Sequence, residues 1–320
     1  MKRIAVITSG GDCPGMNAAI RSVVRTAISK GLEVYGIEQG YKGMIEGKFK
    51  KLESKDVANI IQRGGTFLRS ARSERFKTED GQKEAIKNLE RFNIDALIVI
   101  GGDGSLRGAN VLCKKYGVKV VGIPGSIDND IYGTDMSIGV DTALNTIIRC
   151  IDSINDTASS HDRTFLIEVM GRNCGYLALM SAIAGGAEAV LIPEVPYNIE
   201  RIIEKIKRRY EEGKTRSIII VAEGVGSAYD FGKVFGMIGG FETRITVLGH
   251  LQRGGSPTVF DRTLATRMGA FAVEVLFDGA CGDMVALQKT KMELVKLDEV
   301  LLKRKELDPT LLEIAEMLSN

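Results

Sequence analysis

Short apolar runs alternate along the chain with longer stretches of mixed polarity. Residues 4–7 (Ile-Ala-Val-Ile), Glu33–Ile37, residues 97–100 (Leu-Ile-Val-Ile) and residues 119–123 (Lys-Val-Val-Gly-Ile) read as strands. The apolar, β-branched run at 97–100 suits a strand buried on both faces. Between the runs, the pattern predicts helices over about 16–30, with Gly31 as a C-cap, and over 82–91. Strand, helix, strand in this order predicts an α/β fold with a mostly parallel, doubly wound sheet. After Asp130 the pattern starts again. Ile147, Ile148, Ile151 and Ile154 mark one helix face, 165–169, 190–192 and Ser217–Ala222 read as strands, and Ile199–Glu211 reads as a helix. This second set predicts a second α/β domain. Residues 249–261 read as a loop, and the tail from Leu294 as charged and helical.

Length agrees, since 320 residues exceed one ordinary core. With 44% hydrophobic and 26% charged residues, the composition is that of a soluble globular protein. A formal charge of +2 gives no footprint for nucleic acid, so anion binding has to come from local arginines. The five cysteines (Cys13, Cys113, Cys150, Cys174, Cys281) form no C-x-x-C pair and read as buried thiols of a reducing cytosol. His161 and His250 are too few for a histidine zinc site. No apolar stretch spans a bilayer, and Met1-Lys2-Arg3 leads directly into a strand, unlike a signal peptide; both point to the cytoplasm.

The chemistry concentrates where strands end. In an open α/β sheet ligands bind beyond the carboxyl ends of the strands, and glycines there admit phosphate oxygens to the backbone. Gly101-Gly102-Asp103-Gly104-Ser105 follows one run, and its aspartate suits a Mg²⁺ bridging phosphates. Gly10-Gly11-Asp12 alone is an ordinary strand-to-helix turn, but the two together point to a nucleotide. Gly213-Lys214-Thr215 follows a helix and lacks the first glycine of a P-loop. Pro124-Gly125-Ser126-Ile127-Asp128-Asn129-Asp130 brings a hydroxyl and two carboxylates to the next strand end. The aspartates suit backbone-bonded turn residues, or one is a base. Phosphoryl transfer has a loose transition state, so the proton leaves late and ordinary carboxylate basicity suffices. Arg72, Arg163, Arg172, Arg244 and Arg253 stand in loops or at strand ends; a single surface arginine is usually solvated, but five near glycine turns suit a sugar phosphate. Arg21 and Arg25 share a helix face, solvated or anion-binding. His250 suits either a core position or a ligand.

These motifs, with Met170-Gly171-Arg172, Ala184-Gly185-Gly186-Ala187-Glu188 and His250-Leu251-Gln252-Arg253-Gly254-Gly255-Ser256-Pro257, resemble the bacterial ATP-dependent 6-phosphofructokinases over nearly the whole chain. The resemblance implies two Rossmann-like three-layer domains: 1–138 plus 251–301, larger and binding MgATP, and 139–250 plus 302–320, smaller and binding fructose 6-phosphate. It implies a homotetramer with shared substrate sites. Gly11, Arg72, Ser73 and Gly101, Gly102, Asp103, Gly104 and Ser105 would hold ATP, Asp103 meeting Mg²⁺. Asp128 would be the base on the sugar 1-hydroxyl. Ser126, Ile127, Met170, Gly171, Arg172, Glu223, His250, Leu251, Gln252 and Arg253 would line the sugar phosphate site, which Arg163 and Arg244 reach from a neighbouring subunit. Arg72 and Arg172 would neutralise the moving phosphoryl group. Arg21, Arg25, Gly186, Glu188 and Lys214 match the effector site, whose usual ligands are ADP and phosphoenolpyruvate.

Pyrophosphate-using relatives usually carry aspartate at the position of Gly104 and lysine at that of Gly125; the glycines leave room for ATP. Ser126 replaces the usual threonine, and Ser73-Glu74-Arg75-Phe76 the usual Cys-Pro-Glu-Phe. Ser54, Asn155 and Glu212 stand where effector sites are often basic. The alternatives are a pyrophosphate-dependent enzyme, disfavoured by the two glycines; a kinase of another acceptor, which leaves Met170–Arg172 and His250–Arg253 unexplained; and a dead nucleotide-binding subunit, against which Asp103, Asp128 and Arg172 stand.

Overall fold

The computed structural model describes residues 1–158, 163–214 and 216–318. His161 and Thr215, weighed above for zinc and for a P-loop, lie outside the described residues. In chain order the elements are β1 (Arg3–Ser9), α1 (Met16–Ser29), β2 (Glu33–Ile37), α2 (Gly40–Glu46), β3 (Phe49–Leu52), α3 (Glu79–Arg91), β4 (Ala96–Gly101), α4 (Asp103–Tyr116), β5 (Lys119–Pro124) and α5 (Val140–Ala158). They continue as β6 (Thr164–Val169), α6 (Tyr176–Gly185), β7 (Ala189–Leu191), α7 (Ile199–Glu211), β8 (Ser217–Ala222), α8 (Ala228–Val234) and β9 (Thr243–Val247). The chain ends with α9 (Val259–Phe277), β10 (Asp283–Gln288), β11 (Lys291–Lys296), α10 (Leu297–Leu302) and α11 (Pro309–Leu318).

Two compact units form, one from residues 1–127, 131–142 and 253–305, the other from 128–130, 143–252 and 306–320. The chain enters the second unit briefly at 128–130 and again within α5, after Thr142, where the resemblance implied one crossing at 138/139; it returns after Gln252, where the resemblance implied 250/251. The last crossover falls after Lys305, where it implied 301/302.

The first unit carries a seven-stranded sheet in the order β11-β10-β5-β4-β1-β2-β3, parallel from β10 through β2 with an antiparallel strand at each edge. β1 and β4 are buried along almost their whole length because helices cover both faces. β1 sends the chain to β2 on one side, and β4 returns on the other, so a topological switch point lies between β1 and β4, with Ser9 in register with Gly101. α1 packs on α9, where Ser22 donates to the Thr266 carbonyl at 2.6 Å.

The second unit carries a parallel sheet in the order β7-β8-β6-β9. Leu166, Ile206, Ile219, Val221 and Phe235 form its core. α7 is capped by Asn198, whose side chain accepts from Arg201 N at 2.8 Å. Ile147 and Ile151 are buried on α5, as their spacing predicts.

Several local expectations change. Leu294 lies in β11, paired with β10, so the tail is helical only from Leu297. The stretch 249–261 is a loop only at 254–258, between a 3₁₀ turn at Gly249–Arg253 and the capped first turn of α9. Helix α3 starts at Glu79, earlier than composition suggests, because Thr78 caps it by accepting from Gly81 N. Of the cysteines, Cys13 and Cys174 are buried, but Cys113, Cys150 and Cys281 are only partly so. No described helix is long and apolar enough to cross a membrane.

Candidate active site

In the first unit, the turns after β1 and β4 meet at the switch point. Helices α1 and α4 begin at Gly15 and Gly102 with no side chain capping either start. The positive end of each helix is therefore left open to an anion, with Met16 N bonded to Cys13 O and Ser105 N to Gly102 O. Gly101 has to be glycine: a Cβ there would stand 2.6 Å from both the Ser9 carbonyl and Ser105 Oγ. Gly101 O accepts from Gly125 N at 3.0 Å, which joins the β4 turn to Pro124–Ser126. Ser137 Oγ donates to Ser126 O at 2.8 Å, and Ile127 is buried. Asp103 and Gly104 are exposed at the start of α4, and a Cβ on Gly104 would meet nothing within 4 Å. A Cβ on Gly125 would press on Met16 Cε at 3.2 Å and Cys13 Sγ at 3.3 Å.

Arg72 is exposed. Ser73 Oγ accepts from Phe76 N at 3.2 Å, Phe76 stacks on Tyr41 with centroids 4.1 Å apart, and Tyr41 donates its hydroxyl to Ser105 O at 2.6 Å. That series ties the Arg72–Ser73 loop to the first turn of α4. Burial pushes the Tyr41 phenol well above its usual range, so it stays a donor.

Arg253 lies in this unit too, against the Gly11 turn. Its Nη2 donates to the Asp12 carbonyl at 3.3 Å, and a Cβ on Gly11 would stand 1.6 Å from that nitrogen. Its Nε is buried without a hydrogen-bond partner among the described residues, 4.0 Å from Asp12 Oδ1. The sequence grouped Arg253 with His250–Gln252; the structure sets it on the glycine turn that follows β1.

In the second unit, Asp128, Met170–Arg172, Glu223 and His250–Gln252 cluster beyond the carboxyl ends of β6, β8 and β9. Glu223 Oε1 accepts from Gly171 N at 3.2 Å and Arg172 N at 2.8 Å. Gln252, fully buried, accepts from Met170 N at 3.1 Å and donates to Gly249 O at 3.0 Å. The two side chains hold a strained turn in which Gly171 has φ 145° and Arg172 φ 52°. Arg172 presents its Nε 3.7 Å from Asp128 Oδ2. His250 is exposed and Leu251 strongly so.

Arg163, just before β6, and Arg244, on β9, converge on Glu242. Arg163 Nε lies 3.1 Å from Glu242 Oε1, and Arg244 bonds the same oxygen. The sheet register places Phe165 opposite Arg244, which brings both arginines to one end of the β6–β9 pair.

The family profile described as Phosphofructokinase matches residues 3–276. The chain belongs to the phosphofructokinase family. The ATP-dependent 6-phosphofructokinase of Halalkalibacterium halodurans is 56% identical over 319 residues, covering all of both chains. That of Thermotoga neapolitana is 54% identical with the same coverage. Phosphofructokinase from Saccharomyces cerevisiae superposes with a TM-score of 0.89 at 39% identity, over 94% of this chain and 45% of that one.

For a phosphofructokinase, the expected effector residues are divided between the units. Arg21 and Arg25 stand on α1, half-buried and exposed. Gly186 caps α6 and Lys214 is exposed after α7. Glu188 is committed to the fold: it accepts from Ile218 N at 2.6 Å and lies 3.4 Å from Arg209.

Sequence reasoning missed three carboxylates. Glu242 organises the arginine pair. Glu194 accepts from Gly175 N at 2.7 Å, behind the Arg172 turn. Asp261 is buried and accepts from Gly139 N and Thr142 N, each at 2.8 Å. Burial raises its carboxyl above the usual range despite those donors. A charged neighbour in the sequence gave no signal, since Glu242 stands two residues before Arg244 and Asp261 directly before Arg262.

Proposed function

We propose that this chain catalyses phosphoryl transfer from MgATP to the 1-hydroxyl of fructose 6-phosphate, giving fructose 1,6-bisphosphate and ADP, a step of glycolysis. The observation that carries this reading is the buried Asp128 carboxylate beside Arg172 on a turn fixed by Glu223 and Gln252. It is supported by full-length relatives named ATP-dependent 6-phosphofructokinase.

In this reading Asp128 accepts the proton of the 1-hydroxyl. Arg172 leaves the carboxylate to neutralise the moving phosphoryl group, with Arg72. Ser126 orients the acceptor. Ser73, Gly11 and Gly101, Gly102, Gly104 and Ser105 take ATP, and Gly104, open around its Cβ position, leaves room for the nucleotide. Met170, Gly171, Glu223, His250, Leu251 and Gln252 take the sugar phosphate, Ile127 backing it. Arg253, with its free Nε, donates to a phosphate oxygen from the β1 turn.

No group of three or more metal-binding side chains occurs among the described residues. Asp103 is a single exposed carboxylate bonded to Arg107 at 2.9 Å. One carboxylate fits Mg²⁺ that arrives on phosphates, since that ion keeps most of its ligands from water and nucleotide. Asp103 would hold it, and the ion would neutralise charge on the β- and γ-phosphates.

The protein acts in the cytoplasm as a homotetramer in which Arg163 and Arg244 complete the fructose 6-phosphate site of a neighbour. ADP and phosphoenolpyruvate bind at Arg21, Arg25, Gly186, Glu188 and Lys214. A coupled assay on fructose 6-phosphate with ATP or pyrophosphate tests the reading. Turnover with ATP and Mg²⁺ is expected; turnover with pyrophosphate alone overturns the donor, and no turnover with either overturns the function.

A further inference from the structure

Cys113 and Cys281 face one another in the first unit, with their sulfurs 3.2 Å apart and both thiols free. Cys113 stands in the last turn of α4, the helix whose first turn carries Asp103 and Gly104. Cys281 stands two residues before β10. Both backbones are fixed. Gly117 N, at the C-cap of α4, bonds Cys113 O at 3.0 Å. Gly282, next to Cys281, donates to Val120 O at 2.9 Å and accepts from Leu297 N at 2.9 Å. A Cβ at position 282 would approach Cys113 Sγ to 3.0 Å, so the glycine keeps that approach open.

We propose that Cys113 and Cys281 are a reversible oxidation site, which a two-electron oxidant of the peroxide class closes into a disulfide. Three features support it. The pair is already in contact, and a disulfide of about 2.05 Å needs the sulfurs to close by only about an ångström. Both side chains are partly exposed, whereas Cys13 and Cys174 are buried. The residues lie 168 apart in sequence, so the link closes a long loop that the unfolded chain would otherwise leave open.

The step balances with hydrogen peroxide. One sulfur, as thiolate, attacks a peroxide oxygen; the O–O bond breaks, and the leaving hydroxide takes up the thiol's proton as water. The resulting sulfenic acid is attacked by the second sulfur; the S–S bond forms, the S–O bond breaks, and the second thiol's proton leaves with the hydroxyl as water. The two thiols lose two electrons and peroxide gains them. Burial and the neighbouring sulfur push the Cys113 thiol up to about 11, so little of it is thiolate at neutral pH and any attack through this sulfur is slow.

The test treats the purified full chain with hydrogen peroxide, then alkylates the remaining thiols under denaturing conditions. The intact chain is expected to lose the mass of two hydrogens, to fall from five reactive thiols to three, and to yield one joined peptide containing Cys113 and Cys281. A dithiol reductant restores all five, and the oxidised chain melts at a higher temperature. C113A and C281A should each abolish the joined peptide. The unsubstituted chain carries the test even if a variant folds poorly. Oxidation to sulfinic acid without joining, joining of other cysteines, joining between chains, or five thiols left intact would each overturn the proposal.

Discussion

Arg172 sets its Nε 3.7 Å from Oδ2 of Asp128, and the two differ sharply in exposure, 57% for the arginine side chain and 9% for the aspartate. A contact that long is weaker than a charge-assisted hydrogen bond of 2.7–2.9 Å. The arginine can therefore leave for a phosphate, while the carboxylate stays fixed. Asp128→Ala is expected to lower kcat by at least ~10²-fold, the scale of losing a general base. Half-saturating concentrations of both substrates should change little. Near-normal kcat in a steady-state assay would remove Asp128 from the role of base.

Gly104 tests the phosphoryl donor. A Cβ there meets nothing within 4 Å, so Gly104→Asp costs the fold little, and the melting temperature should stay close to the parent's. The added carboxylate would still repel the nucleotide phosphates, so kcat/KM for ATP should collapse while pyrophosphate, needing less room, is affected less. A substitution at Gly125 is less clean, because its Cβ would crowd Met16 and Cys13 and confound stability with donor choice. Unchanged ATP use by Gly104→Asp would show that the space beside this residue does not select the donor.

Much of this was legible in the chain because the site residues follow strand ends. The apolar runs that became β1, β4, β6 and β8 are buried on both faces and short, so their pattern survives without context. The glycine turns after them followed at once. Three of the four edge strands were illegible: β3, β9 and β11 are half exposed, and Lys50-Lys51 in β3 or Glu293-Leu294 in β11 read as polar loop or helix without their partners, whereas the apolar edge strand β7 was read. The arginines were visible, but their counter-charges were not. That Glu242 gathers Arg163 and Arg244 depends on β6 and β9 pairing, and that Arg253 settles on Asp12 depends on a return of the chain 241 residues later. Cys113 and Cys281 escaped for the same reason.

Glu242 gives the arginine pair a measurable counter-charge. Under the proposed sharing of sites, Arg163→Ser should weaken fructose 6-phosphate binding and flatten its cooperativity, with little change for ATP. Glu242→Gln should act in the opposite sense, since it removes the anion that competes with the sugar phosphate. The carboxylate is about half exposed, so the ion pairs are worth at most about 1 kcal/mol, and the half-saturating concentration should fall by no more than about fivefold. Initial rates against fructose 6-phosphate for the two variants decide this. A rise with Glu242→Gln would make Glu242 a support for the arginines, and full activity in a demonstrably monomeric sample would overturn the shared site.

Under the proposed effector site, the strength of regulation depends on charge at those positions. A hydrogen bond between arginine and phosphate contributes roughly 1.5–3 kcal/mol. Arg21, Arg25 and Lys214 remain for that purpose, but Ser54, Asn155 and Glu212 add no positive charge, and the exposed Glu212 at the end of α7 repels an anion. Glu188 is already bonded to Ile218 N and faces Arg209, so a ligand that engages it has to compete with the fold. An effector shifts an equilibrium only by its difference in affinity for the two states, and fewer charge pairs make that difference smaller. Activation by ADP and inhibition by phosphoenolpyruvate are therefore expected to be weak. Asn155→Arg combined with Glu212→Arg should strengthen both, read as the change in half-saturating fructose 6-phosphate when each effector is added. A strong response in the parent that the double substitution leaves unchanged would place effector binding on other residues.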